Sequence, residues 1–258
     1  MKFALETHAQ RTDVRRFAER LVDEIEKAGG KVVDGDTTAP DIVLAAGGDG
    51  TMLNAVRKSL YWDVPVMGFN LGTLGFLTEA EPSELASTVG RLVAGRFEVA
   101  ERITVTAEIG ERKATGLNDV VVEKIDSTRL VHLELAIDGG RFATYRADGL
   151  VIATPTGSTA YSFSAGGPLV DPRVEALVMT PVASHSLFDR SLVLPASSCI
   201  EVTVRRDRAV KVNVDKVSLG VLEGGETVTV SRGERPVRFV TLGARTFSQV
   251  VRDKFDLD

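Results

Sequence analysis

Apolar side chains at Val14, Phe17, Ala18, Leu21, Val22 and Ile25 recur at helical spacing, and Gly29-Gly30 follows them. The spacing predicts an amphipathic helix that stops at the glycines. Asp41 to Ala46 is a different pattern, a short and almost wholly apolar run, as expected of a strand covered on both faces in a parallel sheet. Gly47 to Thr51 reads as a turn, and Met52, Leu53, Val56 and Leu60 mark a second helix. Val64 to Phe69 repeats the buried-strand pattern. A loop punctuated by Gly72 and Gly75 leads from it to a helix near Ser83 to Leu92. Strand and helix alternate, which predicts an α/β layer domain over residues 1–97.

The rhythm changes near Arg96. Strand-like runs follow at Ile103 to Ile109, Val120 to Glu123, Leu130 to Ile137, Ile200 to Val204, Val210 to Val214 and Thr227 to Val230. Asp138-Gly139-Gly140 is expected to close a hairpin after the third of these. Residues 98–258 are therefore expected to form a β-rich domain. Phe247, Val250 and Val251 within Arg245 to Phe255 return to helical spacing, and that last segment is expected to pack back on the first domain.

With 258 residues, 43% of them hydrophobic and 26% charged, the composition is that of a folded globular protein. The net charge of -5 and the lack of a dense basic block argue against a nucleic-acid binder. The single cysteine, Cys199, excludes an intrachain disulfide framework and a cysteine-based zinc cluster, and fits a reducing compartment. Met1 to Thr12 holds Glu6, His8, Gln10 and Arg11 and lacks the continuous apolar core of a signal peptide. No later run reaches the ~18 apolar residues of a membrane span. A cytoplasmic protein that binds no membrane is the expectation.

Gly47-Gly48-Asp49-Gly50-Thr51 lies between a buried strand and a helix, where open α/β sheets place their ligands. Glycines let backbone N–H groups approach phosphate oxygens, and the following helix N-terminus favours negative charge. A carboxylate at such a place would repel phosphate unless it accepts a proton from an attacking hydroxyl or holds a Mg²⁺, both of which are kinase roles for aspartate. A tight turn with Asp49 as helix cap is the structural alternative. The run is neither a G-x-x-x-x-G-K-[ST] loop nor a G-x-G-x-x-G fingerprint.

A second motif, Asp148 to Pro168 (DGLVIATPTGSTAYSFSAGGP), joins a short apolar strand to a loop dense in hydroxyls and glycines. Such a loop offers many hydrogen-bonding groups and little bulk, which suits ribose and phosphate; a plain surface loop is the alternative.

In this order and at this separation, the two motifs resemble the NAD kinase family. The likeness runs from Asp41 to Leu194 and takes in Gly68 to Leu77 (GFNLGTLGFL), Asn118-Asp119 and Thr180 to Arg190 (TPVASHSLFDR). The long second motif is the specific one, because diacylglycerol and sphingosine kinases and phosphofructokinases carry glycine-aspartate turns related to the first. The resemblance implies an α/β N-terminal domain plus an all-β (β-sandwich) C-terminal domain, with the site between them. It implies phosphorylation of the adenosine-ribose 2′-hydroxyl of NAD to give NADP. Asp49 would be the catalytic proton acceptor, with Gly50 beside the dinucleotide and Gly47, Gly48 and Thr51 forming the phosphate turn. Asn70 and Phe76 would lie by the adenine end, Phe76 as a stacking surface, and Asn118 and Asp119 would hold ribose hydroxyls. Arg146 and Asp148 match positions near the nicotinamide half. Thr156, Thr159, Ala160, Tyr161, Ser162, Phe163 and Ser164 would line the dinucleotide, Ala183 would flank it, and Arg129 is a weaker match, to a phosphate. The implied partners are NAD and ATP or polyphosphate with Mg²⁺ or another divalent cation. No metal site made by the protein alone is expected, and a homodimer or homotetramer is.

The chain departs from the family pattern at Asp215-Lys216-Val217, where Asp-Gly-Gln is frequent, and at Asn54, where Arg or Lys is common. Both departures bear on NAD against NADH preference and on the phosphoryl donor. A lipid kinase and a non-catalytic NAD-binding sensor are the competing readings. His185 with Asp189 lacks a third metal ligand and no G-x-S-x-G elbow accompanies Ser184 or Ser186, while His8 and His132 stand apart. Arg205, Arg206, Asp207 and Arg208 read as a solvated hairpin turn, and Cys199 as a packing residue.

Overall fold

Buried parallel strands account for the apolar runs of the first part of the chain. The computed structural model describes residues 1–7, 11–72, 75–205, 208–243 and 245–257. His8, Arg206, Asp207, and Thr73 and Leu74 of the GFNLGTLGFL run lie outside the described residues. Two compact units form, Met1–Glu101 together with Val237–Asp258, and Arg102–Pro236.

The first unit begins with β1 (Lys2–Thr7), α1 (Thr12–Lys27), β2 (Lys31–Val32), β3 (Ile42–Gly47), α2 (Asp49–Trp62), β4 (Val66–Asn70), a 3₁₀ turn at Pro82–Glu84, α3 (Leu85–Val93) and β5 (Glu98–Arg102). Every residue of β3 and β4 is buried. The period-2 alternation of strand side chains divides them between faces: Ile42, Leu44, Ala46, Met67 and Phe69 share a core with Phe17, Leu21 and Ile25 of α1 and Leu85, Val89 and Leu92 of α3. On the other face, a Cβ placed on Gly68 would lie 2.9 Å from the Met52 sulfur, so α2 packs there. The helix at 14–29 is as expected, with Val14, Phe17, Leu21 and Ile25 inward. The turn expected over Gly47 to Thr51 is shorter: β3 keeps Gly47, and α2 starts at Asp49 because the Gly48 carbonyl already accepts the Thr51 and Met52 N–H groups.

The second unit is antiparallel throughout its pairings. It contains β6 (Val105–Ile109), β7 (Arg112–Gly116), β8 (Asp119–Lys124), β9 (Val131–Ile137), β10 (Gly140–Ala147), β11 (Gly149–Ala153), a 3₁₀ turn at Gly157–Thr159, a single-turn helix α4 (Tyr161–Ser164), β12 (Ala176–Val182), β13 (Leu192–Pro195), β14 (Ile200–Val204), β15 (Val210–Val214), β16 (Val217–Leu222) and β17 (Thr227–Arg232). Among the described residues they make two six-stranded sheets, in the orders β10-β9-β14-β17-β6-β7 and β13-β12-β11-β8-β15-β16. One core joins the two sheets, with Leu133, Val202 and Val228 from the first and Val122, Leu150, Ile152 and Val212 from the second. The expected strand at Ile103 to Ile109 begins later, at Val105, after β5 has ended at Arg102. The Asp138-Gly139 hairpin forms as expected, both residues taking positive φ.

The chain then returns to the first unit with β18 (Val237–Thr241) and α5 (Phe247–Phe255). β18 lies beside β4 and completes the order β2-β1-β3-β4-β18-β5. The expected break after residue 97 falls at Glu101, and the return to the first unit, expected of the last segment only, begins earlier, at Val237. Val240 belongs to the core shared with α1 and α3, and the Glu79 carboxylate accepts the Leu242 N–H at 2.6 Å. α5 lies with the first unit as well.

Candidate active site

In the first unit the two glycine-bearing segments converge on Asp49. Its carboxylate does not cap its own helix. Oδ2 accepts the backbone N–H of Phe76 and Oδ1 that of Leu77, each at 3.2 Å. The helix-cap alternative for GGDGT is therefore corrected, because Gly48 occupies the cap position. Two glycines are required by close approach. A Cβ on Gly47 would fall 2.4 Å from Thr51 Oγ1, and one on Gly75 would fall 2.4 Å from Asp49 Oδ1. Gly48 and Gly50, by contrast, face open space at the start of α2, beside the carboxylate. A helix N-terminus with room next to it suits an anionic ligand.

Asn70, at the end of β4, is buried; its Nδ2 donates to Glu81 Oε1 at 3.3 Å and its Oδ1 has no hydrogen-bond partner in the structure. Phe76 is half-buried. Its ring lies 6.3 Å from that of Phe255 and 5.7 Å from Lys254 Nζ, so α5 packs against the expected stacking surface.

In the second unit, Asn118 and Asp119 sit where β8 begins, and the register sets Asp119 opposite Ala153, the last residue of β11. The second motif's loop starts there. Thr154 ties the two together: its N–H donates to Asn118 O at 2.8 Å and its hydroxyl to Leu117 O at 2.6 Å. A Cβ on Gly157 would fall 2.0 Å from Asn118 O. Asp119 is only 6% exposed. Burial pushes its carboxyl up to about 7, the negative charge of Asp215 adds to that, and Lys216 opposes it. The Asn118 Oδ1 is a second buried acceptor with no partner in the structure. A buried acceptor without a partner is destabilising, and Asn70 and Asn118 each carry one.

The loop's hydroxyls divide into two sets. Ser158 is buried, donating to Pro155 O at 2.6 Å and accepting the Val170 N–H at 2.9 Å. Ser162 Oγ is buried 3.1 Å from Thr180 Oγ1, which lies 3.0 Å from Ser191 Oγ. The Ser162 hydroxyl thus holds the loop to β12 rather than facing outward. Thr156 is buried, Thr159 and Ala160 are half-buried, and Tyr161, Phe163 and Ser164 are exposed. Burial and the charges of Glu123, Asp148 and Asp119 hold the Tyr161 hydroxyl above its ordinary range. Asp148 lies just beyond the far end of β11 from Asp119, about 17 Å away by strand rise, and pairs with Lys124 at 2.5 Å. The Arg146 backbone is bracketed by the Thr180 to Arg190 segment, its N–H donating to Ser186 Oγ at 2.9 Å and its carbonyl accepting the His185 N–H at 2.7 Å. Ala183 holds a φ of +45°, uncommon for a residue with a Cβ. Arg129 is exposed in a turn organised by Asp126.

Residues 4–97 match the ATP-NAD kinase N-terminal domain and residues 117–242 the ATP-NAD kinase C-terminal domain. The chain is 42% identical over 247 residues to an NAD kinase of Gemmatimonas aurantiaca, covering 92% of this chain and 84% of that one. It is 40% identical over 228 residues to an NAD kinase of Moorella thermoacetica, covering 86% and 73%. The chain belongs to the NAD kinase family. Its reaction is that of the family, phosphorylation of NAD. At 24% identity, yeast NADH kinase complexed with NADH shares the fold of this NAD kinase with a TM-score of 0.89, over 100% of this chain and 88% of that one. An Archaeoglobus fulgidus NAD kinase in complex with ATP shares it with a TM-score of 0.79, over 99% and 98%.

Sequence reasoning missed what holds these kinase residues in place. Asp215 was noted only as a departure from pattern, yet its carboxylate accepts the backbone N–H groups of Leu117, Asn118 and Asp119. The available signal was a two-residue turn between the alternating valines of β15 and Val217. The other polar candidates have structural places. Arg205 pairs with Glu134 at 3.3 Å, and burial raises the Cys199 thiol. Among the described residues no group of three His, Cys, Asp or Glu is placed to hold a metal ion, and no helix is long and apolar enough to cross a membrane. A depression of about 500 Å³ lined by Glu6, Asp36, Asn54, Arg57, Lys58 and Tyr61 contains none of the predicted site residues.

Proposed function

We propose that the chain transfers the γ-phosphoryl group of ATP, supplied as its Mg²⁺ complex, to the 2′-hydroxyl of the adenosine ribose of NAD, with Asp49 as proton acceptor. The 2′-oxygen forms the new bond to the γ-phosphorus while the bond to the bridging oxygen of ADP breaks, and the hydroxyl proton passes to the Asp49 carboxylate. No covalent enzyme intermediate is required. The observation that carries the reading is the aim of Asp49: two backbone N–H groups fix a carboxylate at the open N-terminus of α2. Phosphoryl transfer depends mostly on positioning and charge neutralisation, and a general base adds a further ~10² to 10⁴. Mg²⁺ bound with ATP would neutralise charge on the donor phosphates, and Asp49 is the carboxylate that would contact it. Each Asp49 oxygen accepts one N–H and keeps lone-pair capacity, which fits either a proton or a contact to that ion.

Solved relatives with NADH and with ATP support both substrates. Asn118 and Asn70 are proposed to take ribose and adenine groups on the strength of their unpartnered buried acceptors, and Asp119 on the strength of its burial beside Asn118. Phe76, Arg146, Asp148, the Thr156 to Ser164 loop and Ala183 are proposed to line the dinucleotide, with Arg129 near a phosphate, and a homodimer or homotetramer is the proposed assembly.

The test is turnover of purified protein with NAD, ATP and Mg²⁺, read through an NADP-specific dehydrogenase, beside Asp49→Asn. The variant is expected to lose ~10² to 10⁴ in kcat with little change in NAD affinity. An Asp49→Asn enzyme with wild-type kcat would overturn the assignment of the base. A folded wild type that binds NAD but makes no NADP, with ATP or polyphosphate, would favour a sensor.

A further inference from the structure

We propose that Asp215 is a positioning residue for the dinucleotide: by accepting three successive backbone N–H groups it presents the Asn118 and Asp119 side chains to the ligand. The proposal rests on the reading that Asn118 and Asp119 hold ribose hydroxyls. Asp215 Oδ2 takes the Leu117 N–H at 2.6 Å, and Oδ1 takes those of Asn118 at 2.8 Å and Asp119 at 3.3 Å. The Asp215 N–H donates back to Asp119 O at 3.1 Å. A carboxylate can satisfy this row of donors because it has two oxygens and accepts only.

The surroundings are shaped to bring that carboxylate in. Asp215 and Lys216 form the hairpin between β15 and β16 with φ of +46° and +68°, a two-residue turn that requires both to be left-handed. On β7, a Cβ added to Gly116 would fall 2.7 Å from Asp215 Cγ. From the opposite side the segment is held by Thr154, whose N–H and hydroxyl donate to the Asn118 and Leu117 carbonyls. The backbone polar groups of this segment are thereby engaged by the protein, and the Asn118 Oδ1 is left as a buried acceptor. Strand ladders alone would not fix these peptides, because β8 starts only at Asp119. Asp215 does for the start of β8 what a cap does for a helix.

The test uses the full chain. Asp215→Asn keeps the shape but replaces one acceptor oxygen with a donor, which opposes an N–H. KM for NAD is expected to rise about ten- to a hundred-fold while KM for ATP stays near wild type. A second readout separates positioning from general damage. The charges acting on Asp119 are those of Asp215 and Lys216, and the Tyr161 hydroxyl responds to Asp119 in turn. Removing the Asp215 charge should move the pH midpoint of KM for NAD to lower pH, which a merely destabilised protein would not show. Where Asp215→Asn melts before assay temperature, Gly116→Ala displaces the same carboxylate from the neighbouring strand and should raise KM for NAD in the same sense, with faster amide exchange at residues 117–119. Unchanged KM and pH midpoint in a folded Asp215→Asn enzyme would overturn the proposal, as would unchanged amide exchange in Gly116→Ala. Asn118→Ala and Asp119→Ala are run alongside. If neither alters KM for NAD, the ribose reading itself fails, whereas an effect there without one at Asp215 sinks only the positioning role.

Discussion

A carboxylate proposed as proton acceptor has to be aimed, and in this chain the aim depends on a residue with no side chain. Asp49 is held by the N–H groups of Phe76 and Leu77, and the peptide that brings them close passes at Gly75. A methyl group there would stand 2.4 Å from Asp49 Oδ1 and 3.2 Å from its Cγ. Since the obstacle is a short side chain at a helix start, relief means moving the carboxylate by a substantial fraction of an ångström. Gly75→Ala is expected to lower kcat about 10²-fold with NAD affinity nearly unchanged, measured by steady-state kinetics and calorimetric binding of NAD. Wild-type kcat would show that the aim is set elsewhere. Asp49 was legible in the sequence because a carboxylate among glycines contradicts a plain anion site. Asp215 was not, because its partners lie 96 to 98 positions away.

At the scale of elements, local turn chemistry was legible where the residues suit the geometry. Asp138-Gly139 was expected to close a hairpin and does, with the glycine at φ +76°. The hairpin at Asp215-Lys216 demands the same geometry from a lysine at φ +68°. Left-handed backbone costs an L-residue roughly 1–2 kcal/mol, and glycine returns part of that through its freer unfolded chain. Lys216→Gly should therefore stabilise the protein by about 0.5–1 kcal/mol, seen as a higher urea midpoint; a lower midpoint would mean that the lysine side chain holds the turn. Strands were harder to read where the pattern is broken. β1 carries Lys2 and Glu6 and was not expected, yet it pairs in parallel with β2 and β3. β12 contains Pro181, which argues against a strand in isolation, and it is nevertheless paired between β11 and β13.

At the scale of the whole chain, the first unit is finished by residues that follow the second in sequence. β18 supplies Val240 to the core of α1 and α3, Arg91 donates to Leu242 O, and Glu79 accepts from Thr241 and Leu242. A chain ended at Pro236 would leave the edge of β4 unpaired and that core open. Such a truncation is expected to abolish the cooperative unfolding of the first unit while the second keeps its own, as followed by calorimetry and limited proteolysis. Two retained transitions would show that β18 is dispensable.

The sequence by itself determined the alternation of strand and helix, the change to β structure near residue 100 and the family, because periodicity and contiguous motifs are local properties of the chain. It also pointed to Asp49, Asn118 and Asp119, which are proposed to carry the chemistry. What only the tertiary structure decided is how those side chains are held. The Phe76 and Leu77 amides on Asp49, the three amides on Asp215 and the buried acceptors of Asn70 and Asn118 arise between segments far apart in sequence. A hydrogen bond across that separation leaves no period to read, and burial is a property of the packed sheets rather than of any one residue.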